Sequence, residues 1–192
     1  PQSSTLFPYT TLFRSIATVL ELDELLPLIH HQIQRFLTVP MFMIVSYEQS
    51  RNLWKVIYLD DVEDHDAVSP DGYNDSQGIT GIILRHNLPV LLNNAEEILR
   101  LHREHEQQIL GIQPVSMMGI PLSLHRKVIG AMVTQHYEKD NFFTQEDFSL
   151  LKTIGAQVSL ALERVKLYED MKQMAITDAL TGLYNYRYFS AV

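Results

Sequence analysis

Two groups of side chains in this 192-residue sequence are of the types that bind metal ions. His102 and His105 share one face of a predicted helix at i, i+3 spacing, which metal ligands can use. The acidic stretch 60–66 carries five carboxylates, the ligands that calcium prefers. Neither group is complete, because no third ligand accompanies the histidines and the acidic residues do not follow EF-hand order. We therefore favour an exposed helix face and a solvated loop, and we assign no metal ligands.

The sequence also carries no recognisable catalytic group. It contains no phosphate-binding loop, no HExxH motif and no familiar order of serine, histidine and aspartate. It contains no cysteine, which excludes disulfides, zinc–thiolate sites, thiol catalysis and a chromophore attached through a thioether. We expect no cofactor to be bound through these chemistries.

Composition limits the partners of the chain. Apolar residues make up 46% and charged residues 20%, which is ordinary for a globular protein. The net charge of −8 argues against a nucleic-acid surface and against contact with anionic membranes. No apolar run reaches the 18 residues of a membrane span. We therefore expect a soluble, cytoplasmic segment with no nucleic-acid partner and no membrane contact.

Hydrophobic periodicity predicts an α+β fold with a mostly antiparallel sheet. A first helix is predicted to begin near Asp23, with that carboxylate as its cap, and to end by Pro40. Thr144 and Asp147 form a predicted capping box at the start of a long last helix. Between them we predict a hairpin (41–47 and 53–59), a loop (60–77), a helix (78–85), a strand (89–92), a helix (95–109) and a second hairpin (116–124 and 127–137).

Residues 23–168 resemble the GAF sensory domain family. The resemblance rests on the order and spacing of several short motifs, each weak alone. They are Gly-Ile-Thr-Gly at 78–81, Pro-Val at 89–90, Ser-Met-Met-Gly-Ile-Pro-Leu at 116–122, Val-Ile-Gly-Ala-Met at 128–132, Phe-Phe-Thr-Gln-Glu-Asp at 142–147, Ala-Gln-Val at 156–158 and Ala-Leu-Glu at 161–163. The resemblance implies an antiparallel sheet with the terminal helices on one face and shorter helices over a small-molecule pocket on the other.

Strand alternation gives candidate pocket residues. If Ile129, Ala131 and Val133 pack on the terminal helices, polar residues of alternating position face the pocket. For any single candidate, an ordinary strand residue with local hydrogen bonds is the favoured alternative, and His136 as a haem or metal ligand is disfavoured. The candidate ligand-binding residues are Ser46, Tyr58, Tyr73, Thr134 and His136.

Residues 177–189, Thr-Asp-Ala-Leu-Thr-Gly-Leu-Tyr-Asn-Tyr-Arg-Tyr-Phe, resemble the opening D-x-L-T-G-L-x-N-R-R-x-F of a GGDEF (diguanylate cyclase) domain. Tyr186 is the one departure. The metal-binding carboxylates and the glycine-rich turn of that family would follow Val192. We therefore expect this chain to hold no catalytic residue, and we expect magnesium and GTP only for the missing GGDEF domain, which would make cyclic di-GMP.

Residues 5–15, Thr-Leu-Phe-Pro-Tyr-Thr-Thr-Leu-Phe-Arg-Ser, resemble a translated DNA-sequencing adapter. Sequence of this origin has no evolved partner surface, so we exclude it from fold reasoning. The expected organisation is an artefact at 1–15, a GAF sensory domain at 16–165, a signalling-helix linker at 166–176 and the truncated start of a GGDEF domain at 177–192.

The last predicted helix carries an apolar seam beyond the sensory domain, formed by Leu167, Met171 and Met174. Such a seam predicts pairing with the same helix of a second copy, and hence a homodimer. The predicted function is a small-molecule sensor of unknown ligand that regulates a diguanylate cyclase. The alternative is a GAF module that binds nothing and only dimerises, which a pocket filled by Met117, Tyr58 and Trp54 would favour.

Overall fold

The computed structural model describes residues 21–37, 39–61, 69, 71–108 and 110–176. The adapter-like residues 5–15 and the GGDEF-like residues 177–189 lie outside this part of the chain. The elements in chain order are α1 (Leu22–Gln34), β1 (Met41–Glu48), β2 (Leu53–Asp61), β3 (Tyr73–Asn74), α2 (Gly78–His86), β4 (Val90–Leu92), α3 (Ala95–Glu104), β5 (Ser116–Leu124), β6 (Lys127–His136) and α4 (Gln145–Ile176).

The six strands form one sheet in the order β3-β2-β1-β6-β5-β4, and each neighbouring pair is antiparallel. The expected α+β class is therefore confirmed. Strands β1 and β6 pair with each other at the centre of the sheet, and each belongs to one of the two hairpins, β1–β2 and β5–β6. None of the helices in the described ranges is both long and apolar enough to cross a membrane.

Each face of the sheet covers its own hydrophobic core. On one face α1 and α4 bury a cluster that includes Leu25, Phe42, Met132 and Ile154. On the other face α2 and α3 cover a second cluster that includes Ile82 and Met117. Because both faces of the central strands are buried, their residues form continuous apolar runs rather than an alternating pattern.

Two β-bulges change which face the residues of β2 and β6 occupy. Ile44 pairs with Tyr58 whereas Val45 pairs with Val56, so Ile57 is an extra residue in β2. Leu122 pairs with Gly130 whereas Ser123 pairs with Val128, so Ile129 is an extra residue in β6. An extra residue shifts the alternation by one, and every side chain beyond it points to the opposite face.

Helix α4 begins at the predicted capping box. The Asp147 N–H donates to Thr144 Oγ1 at 3.1 Å, and the Thr144 N–H donates to Asp147 Oδ2 at 2.9 Å. The expected cap at Asp23 is wrong, because α1 begins at Leu22 with Glu21 in the cap position, and Asp23 lies in its first turn. Helix α3 ends at Glu104 rather than at residue 109, since the Gln107 N–H donates back to the His102 carbonyl oxygen in a tight turn.

The α4 helix extends beyond the core that it covers. Its buried stripe ends at Val165, which is 2% exposed. Beyond it Leu167 is 57% exposed and Met171 is 68% exposed, and Leu160 lies on the same side with 52% exposure. The Met174 side chain lies outside the described part of the chain. Leu167 and Met171, the two residues of the expected seam with described side chains, are thus exposed.

Candidate functional site

A cavity of about 290 Å³ lies between the sheet and the helices α2 and α3. Its floor comes from β1, β2, β5 and β6, and its roof from the first turn of α2, from α3 and from segment 110–114. The lining consists of Met41, Met43, Trp54, Val56, Leu59, Asp61, Tyr73, Gly78, Ile79, Thr80, Ile98, His102, Leu110, Gly111, Ile112, Gln113, Pro114, Met117, Gln135 and Tyr137. Most of the wall is apolar, with a few polar groups, as is typical of small-molecule sites.

An aromatic pair forms one corner of the cavity. The rings of Trp54 and Tyr73 stack with their centroids 4.4 Å apart and an interplanar angle of 24°. The indole Nε1–H donates to the Asn74 carbonyl oxygen at 3.2 Å, and the Ser69 N–H donates to the Tyr73 hydroxyl at 2.9 Å. These bonds hold both rings in place, so this wall is formed before any ligand arrives.

A buried carboxylate lies at the end of β2. Asp61 is only 3% exposed, and the Tyr137 hydroxyl donates to its Oδ2 at 2.6 Å. The bond joins β2 to the end of β6 across the cavity wall.

His102 is the most unusual polar group of the cavity. It is 7% exposed, and its Nδ1 has no hydrogen-bond partner in the described part of the chain. Burial lowers the pKa of His102 below the usual value, opposed in part by a hydrogen bond with the Gln107 backbone. The imidazole is therefore neutral near pH 7. Gln113, also in the lining, has a buried Nε2 that finds no partner among the described residues.

The exposed-face interpretation of His102 is wrong. Ile98 is fully buried on α3, and His102 follows it by four residues, so both point toward the sheet. This spacing was the one sequence signal that could have found the residue. His105 turns away and packs on His86, with ring centroids 4.6 Å apart. Among the described residues, no group of three possible ligands gathers around a metal position.

The sequence candidate Tyr73 lines the cavity, but Tyr58 does not. The bulge at Ile57 turns Tyr58 to the opposite face, where its hydroxyl is hydrogen-bonded to His30 Nδ1 at 2.8 Å. The ligand role of Tyr73 stays a prediction.

Three further candidates lie on the face of the sheet that the terminal helices α1 and α4 cover. Thr134 Oγ1 donates to the Met41 carbonyl oxygen at 2.7 Å, and Ser46 Oγ donates weakly to the Lys55 carbonyl oxygen at 3.5 Å. His136 Nδ1 accepts from the backbone N–H groups of residues 138 and 139, and its ring packs on Phe142. All three make local contacts and none lines the cavity.

The expected facing of β6 is wrong beyond its bulge. Ile129 packs with the terminal helices as expected, but Ala131 and Val133 belong to the core on the cavity side. Without the bulge, all three residues would share one face. The alternation of the sequence did not point to Gln135 and Tyr137, which line the cavity.

A second, more polar depression lies at the edge of the sheet beside β3. The Tyr47 hydroxyl donates to Asp75 Oδ2 at 2.7 Å, and Arg85 completes the wall. Burial, together with the neighbouring Asp75, raises the pKa of Tyr47 to about 12. The phenol stays protonated and acts as a hydrogen-bond donor, which ties β1 to the turn before α2.

Comparison with known proteins gives a single family. A sequence model described as GAF domain matches residues 19–163. No curated protein sequence matches the chain significantly.

Three solved structures illustrate the likeness, and at their low identities they show the fold alone. The GAF domain of an Acinetobacter phosphoenolpyruvate-protein phosphotransferase has a TM-score of 0.69 and 20% identity, covering 86% of this chain and 97% of that one. Free methionine-R-sulfoxide reductase from Neisseria meningitidis, solved with its substrate, has a TM-score of 0.65, 10% identity and coverages of 86% and 95%. A far-red-absorbing protein with bound biliverdin has a TM-score of 0.61, 9% identity and coverages of 83% and 99%.

Proposed function

The chain belongs to the GAF domain family, and from this premise we propose that it is a small-molecule sensor that regulates a diguanylate cyclase output. The ligand would occupy the cavity under α2 and α3. Helix α4 would carry the signal toward residues 177–189, which resemble the opening of a GGDEF domain. Magnesium and GTP would be needed only by that output domain.

The observation that carries the proposal is a cavity that combines open volume with unpaired polar atoms. At about 30 Å³ per water molecule, 290 Å³ corresponds to roughly ten waters, near the lower end of small-ligand pockets. Met117 and Trp54 line this space without filling it, and Tyr58 lies outside its lining. Buried polar groups are nearly always hydrogen-bonded, so His102 Nδ1 supports a ligand or ordered water as its partner.

The coupling to an output would use α4, because this helix belongs to both parts of the molecule. Its buried residues pack on β5, on the face of the sheet opposite the cavity. The sheet therefore lies between α4 and the cavity. A ligand that shifts β5 within the sheet would change the surface on which α4 rests. Only a ligand with different affinities for the two arrangements would shift them.

Dimerisation through α4 is part of the proposal. Leu160, Leu167 and Met171 follow one another at spacings of seven and four, and all three are exposed. This is the spacing of a coiled-coil seam, and a helix of this kind is marginal in water unless it pairs. Two cyclase domains must meet to join two GTP molecules, so paired α4 helices would control their approach.

The alternative is a GAF module that binds no ligand and serves only to dimerise. The exposed seam supports it as well as it supports the sensor, so the cavity decides between the two. A compound set screened by ligand-observed NMR tests the point. The sensor predicts hits that lose binding when Val56→Phe fills the cavity and keep binding in the control Lys127→Phe, which adds the same ring at an exposed hairpin position. Hits that bind both variants equally would favour the dimerisation module.

A further inference from the structure

The roof of the cavity carries two buried polar atoms that await a partner. His102 lies on α3 and Gln113 lies in segment 110–114, and both side chains line the cavity. In the part of the chain that the structure describes, neither His102 Nδ1 nor Gln113 Nε2 has a hydrogen-bond partner. A buried polar atom in this state costs free energy, which a ligand recovers by bonding to it. The polar group of a ligand therefore belongs under this roof.

The two atoms need opposite kinds of partner. Gln113 Nε2 is an amide nitrogen, which only donates, so the ligand atom beside it must be an acceptor. The hydrogen bond between the His102 imidazole and the Gln107 backbone raises the pKa of the ring and thus holds a ring proton, and Nδ1 takes no part in it. The proton of the neutral ring is therefore on Nε2. His102 Nδ1 presents a lone pair, and the ligand atom beside it must be a donor.

The floor of the cavity is rich in methionine. Met41 and Met117 both pair with Gln135 of β6, so the three residues lie in one row across the sheet on the cavity side. Met43 lines the same wall two residues further along β1, and the buried indole of Trp54 closes one corner. Thioether side chains are unbranched and polarisable, so they adapt to irregular shapes and contact aromatic rings favourably. This floor fits an aromatic or heteroaromatic body.

We propose that the ligand of this cavity is an aromatic or heteroaromatic carboxamide or lactam, whose oxygen accepts from Gln113 Nε2 and whose N–H donates to His102 Nδ1. An amide group places an acceptor and a donor side by side, which is the combination that the roof lacks. The ring of the ligand lies against the methionines and Trp54. The proposal rests on the sensor function above, and it names the chemical class of the ligand.

Three probes with the same skeleton separate the two hydrogen bonds. Benzamide carries both the oxygen and the amide N–H. Acetophenone replaces the NH2 group by a methyl group, and 2-phenylpropene also replaces the oxygen by a methylene group. With about nine non-hydrogen atoms each, the probes match a space of roughly ten waters. Their dissociation constants are measured by protein-observed NMR titration, following the amide signals of the cavity lining.

Two variants assign one hydrogen bond each. The probes differ in hydrophobicity, and this difference cancels when a ratio of affinities is compared between wild type and variant. Gln113→Met should lower the affinity of acetophenone relative to 2-phenylpropene about fivefold, the factor expected for one hydrogen bond. His102→Phe should lower the affinity of benzamide relative to acetophenone about fivefold and leave the other ratio unchanged.

Matched controls repeat the same substitutions outside the lining. Gln108→Met and His105→Phe should leave both ratios at their wild-type values. Binding of 2-phenylpropene serves as the internal check that a variant keeps an intact cavity. A measurement on the wild type adds a test that needs no variant, because the 15N chemical shift of His102 Nδ1 reports whether this atom carries the proton.

The outcomes distinguish this inference from the sensor function. Unchanged ratios in Gln113→Met and His102→Phe, with 2-phenylpropene still bound, would overturn the assigned hydrogen bonds and leave a ligand-binding cavity in place. A proton on His102 Nδ1 in the benzamide complex would overturn the donor half of the proposed ligand. If none of the three probes shifts a signal of the lining at millimolar concentration, the ligand class is wrong, and the compound screen with Val56→Phe decides separately on the sensor.

Discussion

Replacement of His30 by phenylalanine should destabilise the protein less and less as the pH falls. His30 lies on α1, is 4% exposed and stacks on Phe42 with the centroids 5.0 Å apart and the planes at 7°. Its Nδ1 is hydrogen-bonded to the Tyr58 hydroxyl at 2.8 Å and lies 3.4 Å from Asp60 Oδ2. Burial lowers the pKa of His30, with Asp60 raising it by less and His31 lowering it slightly.

The sign of the pH effect follows from that direction. In the unfolded chain the imidazole takes up its proton below about pH 6.5, whereas in the folded protein it does so only at lower pH. Between these two values the unfolded state binds more protons, so stability is lost as the pH falls. One proton corresponds to at most about 1.4 kcal/mol of unfolding free energy per pH unit.

These quantities give the size of the effect for His30→Phe. Near pH 7.5 the variant should be less stable by about 1 kcal/mol, because the half-buried Tyr58 hydroxyl loses its partner. Near pH 5.5 the difference should shrink by up to about 1.4 kcal/mol. The wild type loses stability there because its unfolded state binds a proton at His30, and the variant has no imidazole to bind it. Near pH 5.5 the variant should therefore be destabilised less than it is near pH 7.5.

Urea denaturation at about pH 7.5, 6.5 and 5.5 measures this difference directly. Groups that titrate identically in both proteins cancel when the two free energies of unfolding are subtracted. The control Tyr58→Phe removes the same hydrogen bond but keeps the histidine, so its loss of stability on acidification should follow the wild type. A His30→Phe difference that is constant across the three pH values, or that grows in acid, would refute the reasoning.

Three further changes test the last helix. Thr144→Ala removes half of the capping box and should cost about 1 kcal/mol of unfolding free energy in urea; a cost near zero would mean that the cap is not needed. Gly155→Val places a side chain against Ile120, and the overpacking should cost about 1–3 kcal/mol, so an unchanged denaturation midpoint would contradict the close contact of α4 with β5. Leu167→Glu combined with Met171→Glu should weaken a dimer in sedimentation equilibrium without changing the melting of the sensory domain, and a wild-type chain that is monomeric at high micromolar concentration would remove the α4 pairing.

The sequence by itself determined the kinds of element, their order and their family. The two hairpins, the capping box of α4 and the α+β class follow from local signals, because turn residues, capping residues and periodicity act within a few positions of each other. The GAF motifs were recognisable for the same reason. They are short runs in a fixed order, and the family match over residues 19–163 confirms them.

Only the tertiary structure decided which side chains meet in the cavity. The bulges at Ile57 and Ile129 are properties of strand pairing, so nothing in either strand's own composition marks them. Each one reverses the faces beyond it, which moves Tyr58 onto His30 and brings Tyr137 to Asp61. His102 was missed because a charged helix resembles an exposed one until the sheet beneath it is known. The burial of that imidazole is set by α3 lying on the sheet, a contact that the helix sequence alone does not contain.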